Sequence, residues 1–248
     1  MLCPIDRVGI VVPARNEQAL LPALLASLLA AAARCPVDVR IVVALDACSD
    51  GSEAAVRRAA LHMPDNVALT AVELRASRVG TARALGAGAL LADGPDGLWI
   101  ANTDADCEVP RDWITRQLEL ASNGADAVAG TVTVADWRAR TGAVRAAALR
   151  AYRTGEHRHV HGANLGVRAG AYIAAGGFAP VPSDEDVSLI GALVAAGRTV
   201  EWATDIPVRT SARRAARAPR GFAAYLDSLE NLENLDGPRS APLPGSGG

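Results

Sequence analysis

Thr103-Asp104-Ala105-Asp106 follows directly on the apolar run Leu98 to Asn102. Two carboxylates one residue apart, at the end of a buried strand, offer hard oxygen ligands where a diphosphate can meet them. Mg2+ or Mn2+ suits such a place, because these ions keep waters and bind through one or two carboxylates plus substrate phosphates. A cation there would neutralise charge on a leaving diphosphate. The plainer alternative is a turn whose aspartate caps the next helix, and Asp-x-Asp alone does not choose between the two. Pro13-Ala14-Arg15-Asn16-Glu17 follows the run Val8 to Val12 in the same way. Its helix start would turn free N–H groups toward a phosphate, although simple capping by Asn16 would use the same residues. Asp46, with Ser49-Asp50-Gly51-Ser52 behind it, could accept hydrogen bonds from a base or ribose, or stand in a solvated turn.

Asp184-Glu185-Asp186 stands before the apolar segment Val187 to Ala196. A carboxylate here could take a proton from a hydroxyl, or only favour the positive end of a helix. His157, His159 and His161 are spaced to lie on one side of an extended segment. That loop reads as a zinc site, a solvated loop, or an acceptor-binding loop leading into Gly162-Ala163-Asn164, where a histidine would meet a carboxylate or phosphate.

The elements that must position these residues alternate in type. Val8 to Val12, Val39 to Leu45, Val67 to Glu73 and Leu98 to Asn102 read as strands. Helices are expected from Asn16 to before Pro36, from Ser52 to His62, over Gly80 to Ala92, and from Pro110 to Leu120. Such alternation implies βαβ units and an α/β fold with a mainly parallel central sheet. Right-handed crossovers then bring the strand C-terminal ends to one edge, where open α/β sheets bind ligands. The polar groups fall at those ends. Further strands are expected over Ala125 to Val134, Ala163 to Val167, Thr199 to Ala203 and Pro207 to Arg209, with helices over Gly142 to Tyr152, Val187 to Ala196 and Phe222 to Leu235. Residues 1–235 read as one domain and 236–248 as a disordered tail.

The 248 residues suffice for a sizeable core, and a net charge of -2 argues against a nucleic-acid binder. Every one of the 25 basic residues is Arg. Cys3, Cys35, Cys48 and Cys107 show no paired spacing, as expected of reduced thiols in a cytoplasmic protein. The uncharged stretch Ala19 to Ala33 is too short to span a bilayer. Peripheral membrane association through Arg-rich segments stays open.

In their order, VVPARNE (Val11 to Glu17), DACSDGS (Asp46 to Ser52), RVGTARALGAG (Arg78 to Gly88), TDAD (Thr103 to Asp106), GANLGVR (Gly162 to Arg168), GGF (Gly176 to Phe178) and DED (Asp184 to Asp186) resemble glycosyltransferase family 2. The resemblance runs over about residues 7 to 215. It implies the GT-A fold, a single Rossmann-like domain, and transfer of a sugar from a UDP- or GDP-sugar to an acceptor hydroxyl with inversion. It further implies that Pro13, Ala14 and Glu17 line the nucleoside pocket, that Asp46 contacts base or ribose, and that Arg78 or Arg83 lies near base or diphosphate. Asp104 would contact sugar or ribose and share Mg2+ or Mn2+ with Asp106, the main ligand. Asp186 would be the general base, with Glu185 or Asp184 helping to place the acceptor beside His161, Gly162, Ala163 and Asn164. Some GT-A enzymes take a further metal ligand from a late histidine, and no histidine follows His161 here. Phosphates and water would then complete the shell, with Thr210-Ser211 and Arg213-Arg214 available to the diphosphate. Two rivals remain at this stage. A sugar-nucleotide pyrophosphorylase would place a Gly-rich loop where Pro13 to Glu17 stands, and a non-catalytic nucleotide-sugar module would need no Asp186.

Overall fold

A computed structural model of the chain describes residues 4–134, 136–138, 140–153, 158–211 and 226–231. It divides into two compact units, residues 1–135 with 156–211 and residues 136–155 with 212–248. In the first unit β1 (Arg7–Ala14), β2 (Asp38–Asp46), β3 (Val67–Leu74) and β4 (Leu98–Asn102) form the parallel part of an eight-stranded sheet of order β3-β2-β1-β4-β7-β6-β8-β5. β1 pairs in parallel with both β2 and β4. Its Val8, Ile10, Val11 and Val12 are all buried, as expected of a strand covered on both faces.

α1 (Leu21–Ala32) has Pro22 in its first turn, where the missing N–H is harmless, and buries Leu21, Leu24, Leu25 and Leu28. α2 (Ser52–Ala59) follows β2, and α3 (Val79–Leu91) packs on β1 and β2. That last approach is close because glycine lines it. A Cβ on Gly86 would lie 2.5 Å from Val11 Cγ1, and one on Gly80 would lie 2.1 Å from the carbonyl oxygen of Ala179. Gly80, Arg83 and Gly86 are spaced by three and share one helix face. The glycines therefore let the helix settle while Arg83 is driven into the interior.

The rest of the unit is mixed. After the two-residue β5 (Cys107–Glu108), α4 (Trp113–Ser122) and β6 (Ala127–Val134), the short η1 turn (Gly162–Asn164) leads into β7 (Leu165–Arg168). β7 runs antiparallel to both β4 and β6, with Leu165 opposite Asn102. Its N-terminal end therefore meets the C-terminal ends of β1, β2 and β4. α6 (Ala169–Ala174), α7 (Glu185–Ala195) and β8 (Val200–Thr210) complete the unit. Where two short late strands are expected, the chain forms the single β8. Its pairing with β6 shifts between Ala203↔Gly130 and Val208↔Val132, and the shift holds Pro207. A proline has no ladder N–H to give, so an irregularity is where a strand tolerates it. Asn164 fills the irregularity, donating to Thr131 O and Ile206 O at 2.8 Å each and accepting Trp113 Nε1–H at 2.8 Å.

The second unit holds α5 (Gly142–Arg153) and a helical stretch at 226–231, where Arg140 pairs with Asp227 and Glu230. The remainder of the expected helix Phe222 to Leu235, Arg213-Arg214, His157 and the expected tail 236–248 lie outside the described residues. Among the described residues no helix is long and apolar enough to cross a membrane.

The glycine spacing gives a paired expectation. Gly80→Ala must displace backbone and should destabilise the protein by about 1–3 kcal/mol in urea unfolding. Gly88→Ala, on the same helix with no atom within 4 Å of the added Cβ, should stabilise it by about 0.5–1 kcal/mol.

Candidate active site

The corner between β2 and α3 is organised by one carboxylate. Asp46 is 5% exposed. Its Oδ1 accepts the backbone N–H groups of Ala76 (2.9 Å) and Ser77 (3.0 Å), and its Oδ2 accepts that of Arg78 (3.2 Å). Three successive N–H groups converge because Ser77 is left-handed (φ 54°). Ala47, next to Asp46, is left-handed as well (φ 51°), at a cost of about 1–2 kcal/mol for an alanine. Asp46 thus fixes the start of α3. Arg78 stands there and donates to Pro180 O at 3.3 Å.

Ala14 and Glu17 meet the β2–α2 loop, while Pro13 lies opposite Ala44 within β2. The Glu17 N–H donates to Ser52 Oγ (2.8 Å) and the Gln18 N–H to Asp50 Oδ2 (3.0 Å). In return the Gly51 N–H donates to Gln18 Oε1 (2.6 Å) and the Ser49 N–H to Asn16 Oδ1 (2.8 Å). Cys48 closes the seam through its thiol, which donates to Ala14 O at 3.4 Å. The segments Pro13 to Glu17 and Asp46 to Ser52 therefore form one interlocked corner. Cys48 and Ser52 belong to it from within the DACSDGS segment, and Gln18 belongs to it although no motif includes it. The one signal for Gln18 was its position next to Glu17.

The centre of the site is Arg83, 3% exposed. Its Nη2 lies 2.5 Å from Asp104 Oδ1, its Nε 3.0 Å from Glu185 Oε1, and its Nη1 donates to Gly162 O at 2.5 Å. Burial disfavours the charged guanidinium, but Asp104, Glu185 and Asp186 outweigh it and hold the cation. Gly162 is required at this contact, since a Cβ there would lie 2.4 Å from Arg83 Cζ. The Gly162 N–H in turn donates to Asp186 Oδ2 at 2.5 Å. Asp104, Gly162 and the adjacent pair Glu185-Asp186, three stretches far apart in sequence, are gathered around one cation. Arg83 is placed to hold these groups together, its Nη1 and Nη2 hydrogen-bonded to protein and its Nε within ion-pair distance of Glu185 but out of hydrogen-bond alignment.

Asp104 and Asp106 are both part-exposed, and with Cys107 they bring ligand atoms within 4.8 Å of one another. Ser211 Oγ donates to Asp106 Oδ2 at 2.7 Å, so the Thr210-Ser211 strand end does reach the acidic pair. Burial pushes the Cys107 thiol well up, and Asp106 and Asp104 add to the rise. A protonated soft sulfur is a poor ligand for a hard cation, whereas the two carboxylates fit Mg2+ or Mn2+. His161 and Asp184 are half-buried at the same edge. Asp184, left-handed at φ 65°, precedes α7. Gly162 and Ala163 are buried. Asn164, an expected acceptor contact, is instead 0% exposed with its amide committed to the β8 irregularity, so its side chain cannot meet an acceptor.

Residues 9–172 match the sequence model of the glycosyl transferase family 2. The chain belongs to glycosyl transferase family 2 and is a glycosyltransferase. No curated protein matches its sequence. Residues 1–349 of S. aureus TarS, in complex with UDP-GlcNAc, are similar in structure, with 14% identity, a TM-score of 0.66, and coverage of 93% of this chain and 66% of that one. The mannosyltransferase PcManGT from Pyrobaculum calidifontis, in complex with GDP-Man and Mn2+, is similar at 21% identity and a TM-score of 0.64, with coverage of 97% and 68%. A longer TarS structure is covered over 40% of its length, so the chain spans well under two thirds of that relative. The α/β fold is GT-A, as in these neighbours.

Two outcomes follow from the Arg83 cluster. Arg83→Leu should destabilise the protein by about 3–5 kcal/mol, because the buried Glu185 is left without its counter-charge. The double variant Arg83→Leu/Glu185→Leu should cost less than the sum of the single changes in a urea-unfolding cycle. Glu185 also sets a pH dependence. Burial raises its carboxyl above the ordinary range, Arg83 pulls it back, and Asp186 adds to the rise. Its contribution is full below the unfolded value of about 4.3 and is lost as pH rises through the raised native value. Glu185→Gln does not titrate, so wild type should lose stability relative to that variant from about pH 4.3 toward neutrality. A difference that stays flat or runs the other way would contradict this.

Proposed function

We propose that the chain is an inverting glycosyltransferase that uses a UDP- or GDP-sugar, with Mg2+ or Mn2+ at Asp104 and Asp106 and with Asp186 as general base. The observation that carries this reading is the single buried guanidinium shared by Asp104 and Glu185. It ties the acidic pair suited to a diphosphate to the start of α7, where the base candidate stands. The nucleoside would lie against Pro13, Ala14, Glu17 and Asp46, beside Arg78. The ligands of the two neighbours, UDP-GlcNAc and GDP-Man with Mn2+, favour this donor class. When bound, the cation would neutralise charge on the leaving diphosphate.

Asp186 takes the proton from the acceptor hydroxyl as that oxygen attacks the anomeric carbon opposite the diphosphate, which inverts its configuration. The Gly162 N–H on Oδ2 and the Val187 N–H on Oδ1 (2.8 Å) fix the carboxylate in place. Glu185, closed in against Arg83, orients that end of the site.

Calorimetric titration with UDP, GDP, TDP and CMP, each with and without Mn2+, should show Mn2+-dependent binding of one diphosphate that disappears in Asp106→Ala. Asp186→Asn should keep that binding while slowing turnover of the matching donor sugar by about 10²–10⁴-fold. Equal binding without the metal, or undiminished turnover in Asp186→Asn, would overturn the corresponding assignment.

A further inference from the structure

α1 and α2 pack side by side, and an open cavity of about 270 Å³ lies between them. From α1 it is lined by Pro22, Leu25, Ala26 and Leu29. From α2 and the turn after it come Ala55, Arg58, Ala59 and His62. In both sets the later residues stand three, four and seven positions after the first, so each set is one helical stripe turned to the groove. Leu25 and Ala55 form a buried floor, at 1% and 3% exposure. No aromatic ring and no carboxylate lines the groove. Its two polar side chains, Arg58 and His62, are one turn apart toward the C-terminal end of the α2 stripe. Arg57 pairs with Glu53 outside the groove. The Arg58 and His62 side chains, by contrast, have no hydrogen-bond or ion-pair partner among the described residues.

That combination selects a ligand class. The aliphatic lining offers apolar contact but no ring on which a base could stack and no spread of polar groups for a sugar. An unpartnered guanidinium and imidazole at one end call for an anion. Small-molecule sites are commonly of this kind, mostly apolar with a few polar groups that fix orientation. The cavity volume holds roughly nine groups, at the roughly 30 Å³ that one water takes. We propose that the α1–α2 groove binds a short aliphatic carboxylate, its chain along Leu25 and Leu29 and its head on Arg58 and His62. A guanidinium receives a carboxylate through two parallel N–H bonds, and an imidazole N–H supplies one more. None of the lining residues belongs to the Arg83 cluster, the acidic pair or the Asp46 corner, so the inference stands apart from the transferase reading.

The test titrates the full chain with octanoate and follows by NMR the imidazole carbon-bound proton signals of His62, assigned through His62→Gln. These should shift saturably while the signals of His159 and His161 stay still. Acetate, the head without the chain, should give no saturable shift over the same range. Octan-1-ol, the chain without the charge, should bind about tenfold more weakly or worse, the loss expected of one charge-assisted hydrogen bond. Arg58→Ala, at an exposed position, should weaken octanoate by a similar factor. Ala26→Trp, which fills the groove from its exposed rim, should abolish the shift with Arg58 still present. Urea unfolding of both variants verifies that they fold. Equal affinity for octanoate and octan-1-ol, octanoate binding undiminished in either variant, or no shift of His62 would overturn the proposal. In Asp106→Ala the octanoate response should persist although diphosphate binding is lost. Failure of the donor reading and failure of this one are thus seen separately.

Discussion

A guanidinium buried at 3% exposure cannot stand alone, and the need to satisfy Arg83 organises much of the surrounding architecture. Burying a cation is tolerable only where carboxylates and carbonyls meet it closely. Asp104, Glu185 and the carbonyl of Gly162 do so from three separate stretches of chain. Each of those stretches is then fixed. Asp104 draws in the end of β4, Glu185 the start of α7, and Gly162 the η1 turn before β7. The glycines are part of the same constraint. Gly80 and Gly86 let α3 approach closely enough to deliver Arg83, and Gly162 leaves the space its guanidinium fills.

The opposite corner is built from backbone donors. Asp46 gathers three N–H groups at the start of α3, and the loops after β1 and β2 exchange hydrogen bonds through Asn16, Gln18, Asp50 and Ser52. Left-handed conformations at Asn16, Ala47 and Ser77 accompany this arrangement. Strain is affordable in these loops because the parallel strands beneath are buried on both faces and leave little freedom at their ends. A rigid donor corner and a rigid cationic centre then bound one edge of the sheet, the geometry that a transfer between two bound substrates requires.

The mixed second half of the sheet serves the same edge. Were β7 parallel to β4, its N-terminal end and the η1 turn would lie at the far side, away from Asp104. Running antiparallel, it returns Gly162 to the C-terminal end of β4. Asn164 holds this return in place by bridging Trp113, Thr131 and Ile206 across the β8 irregularity. A residue beside the site is thus structural, and its polarity answers a buried backbone need.

The sequence by itself determined the parallel half of the sheet, because β-branched runs such as Val8 to Val12 alternate with helices that carry their own start signals. It determined as well that Pro13 to Glu17, Asp46 and Asp104 to Asp106 share an edge, since right-handed crossovers leave no other arrangement. The motif order from Val11 to Asp186 carried the family. Only the tertiary structure decided what depends on partners distant in the chain. The single strand β8 with its irregularity, the antiparallel entry of β7, and the two-residue β5 are pairing outcomes without a periodic signature of their own. The roles of Arg83 and Asn164 were decided there too. An arginine on a helix and an asparagine in a loop look the same in sequence whether they face ligand or protein, and burial against Asp104, Glu185 and Gly162 in one case, and against Trp113, Thr131 and Ile206 in the other, is set by packing alone.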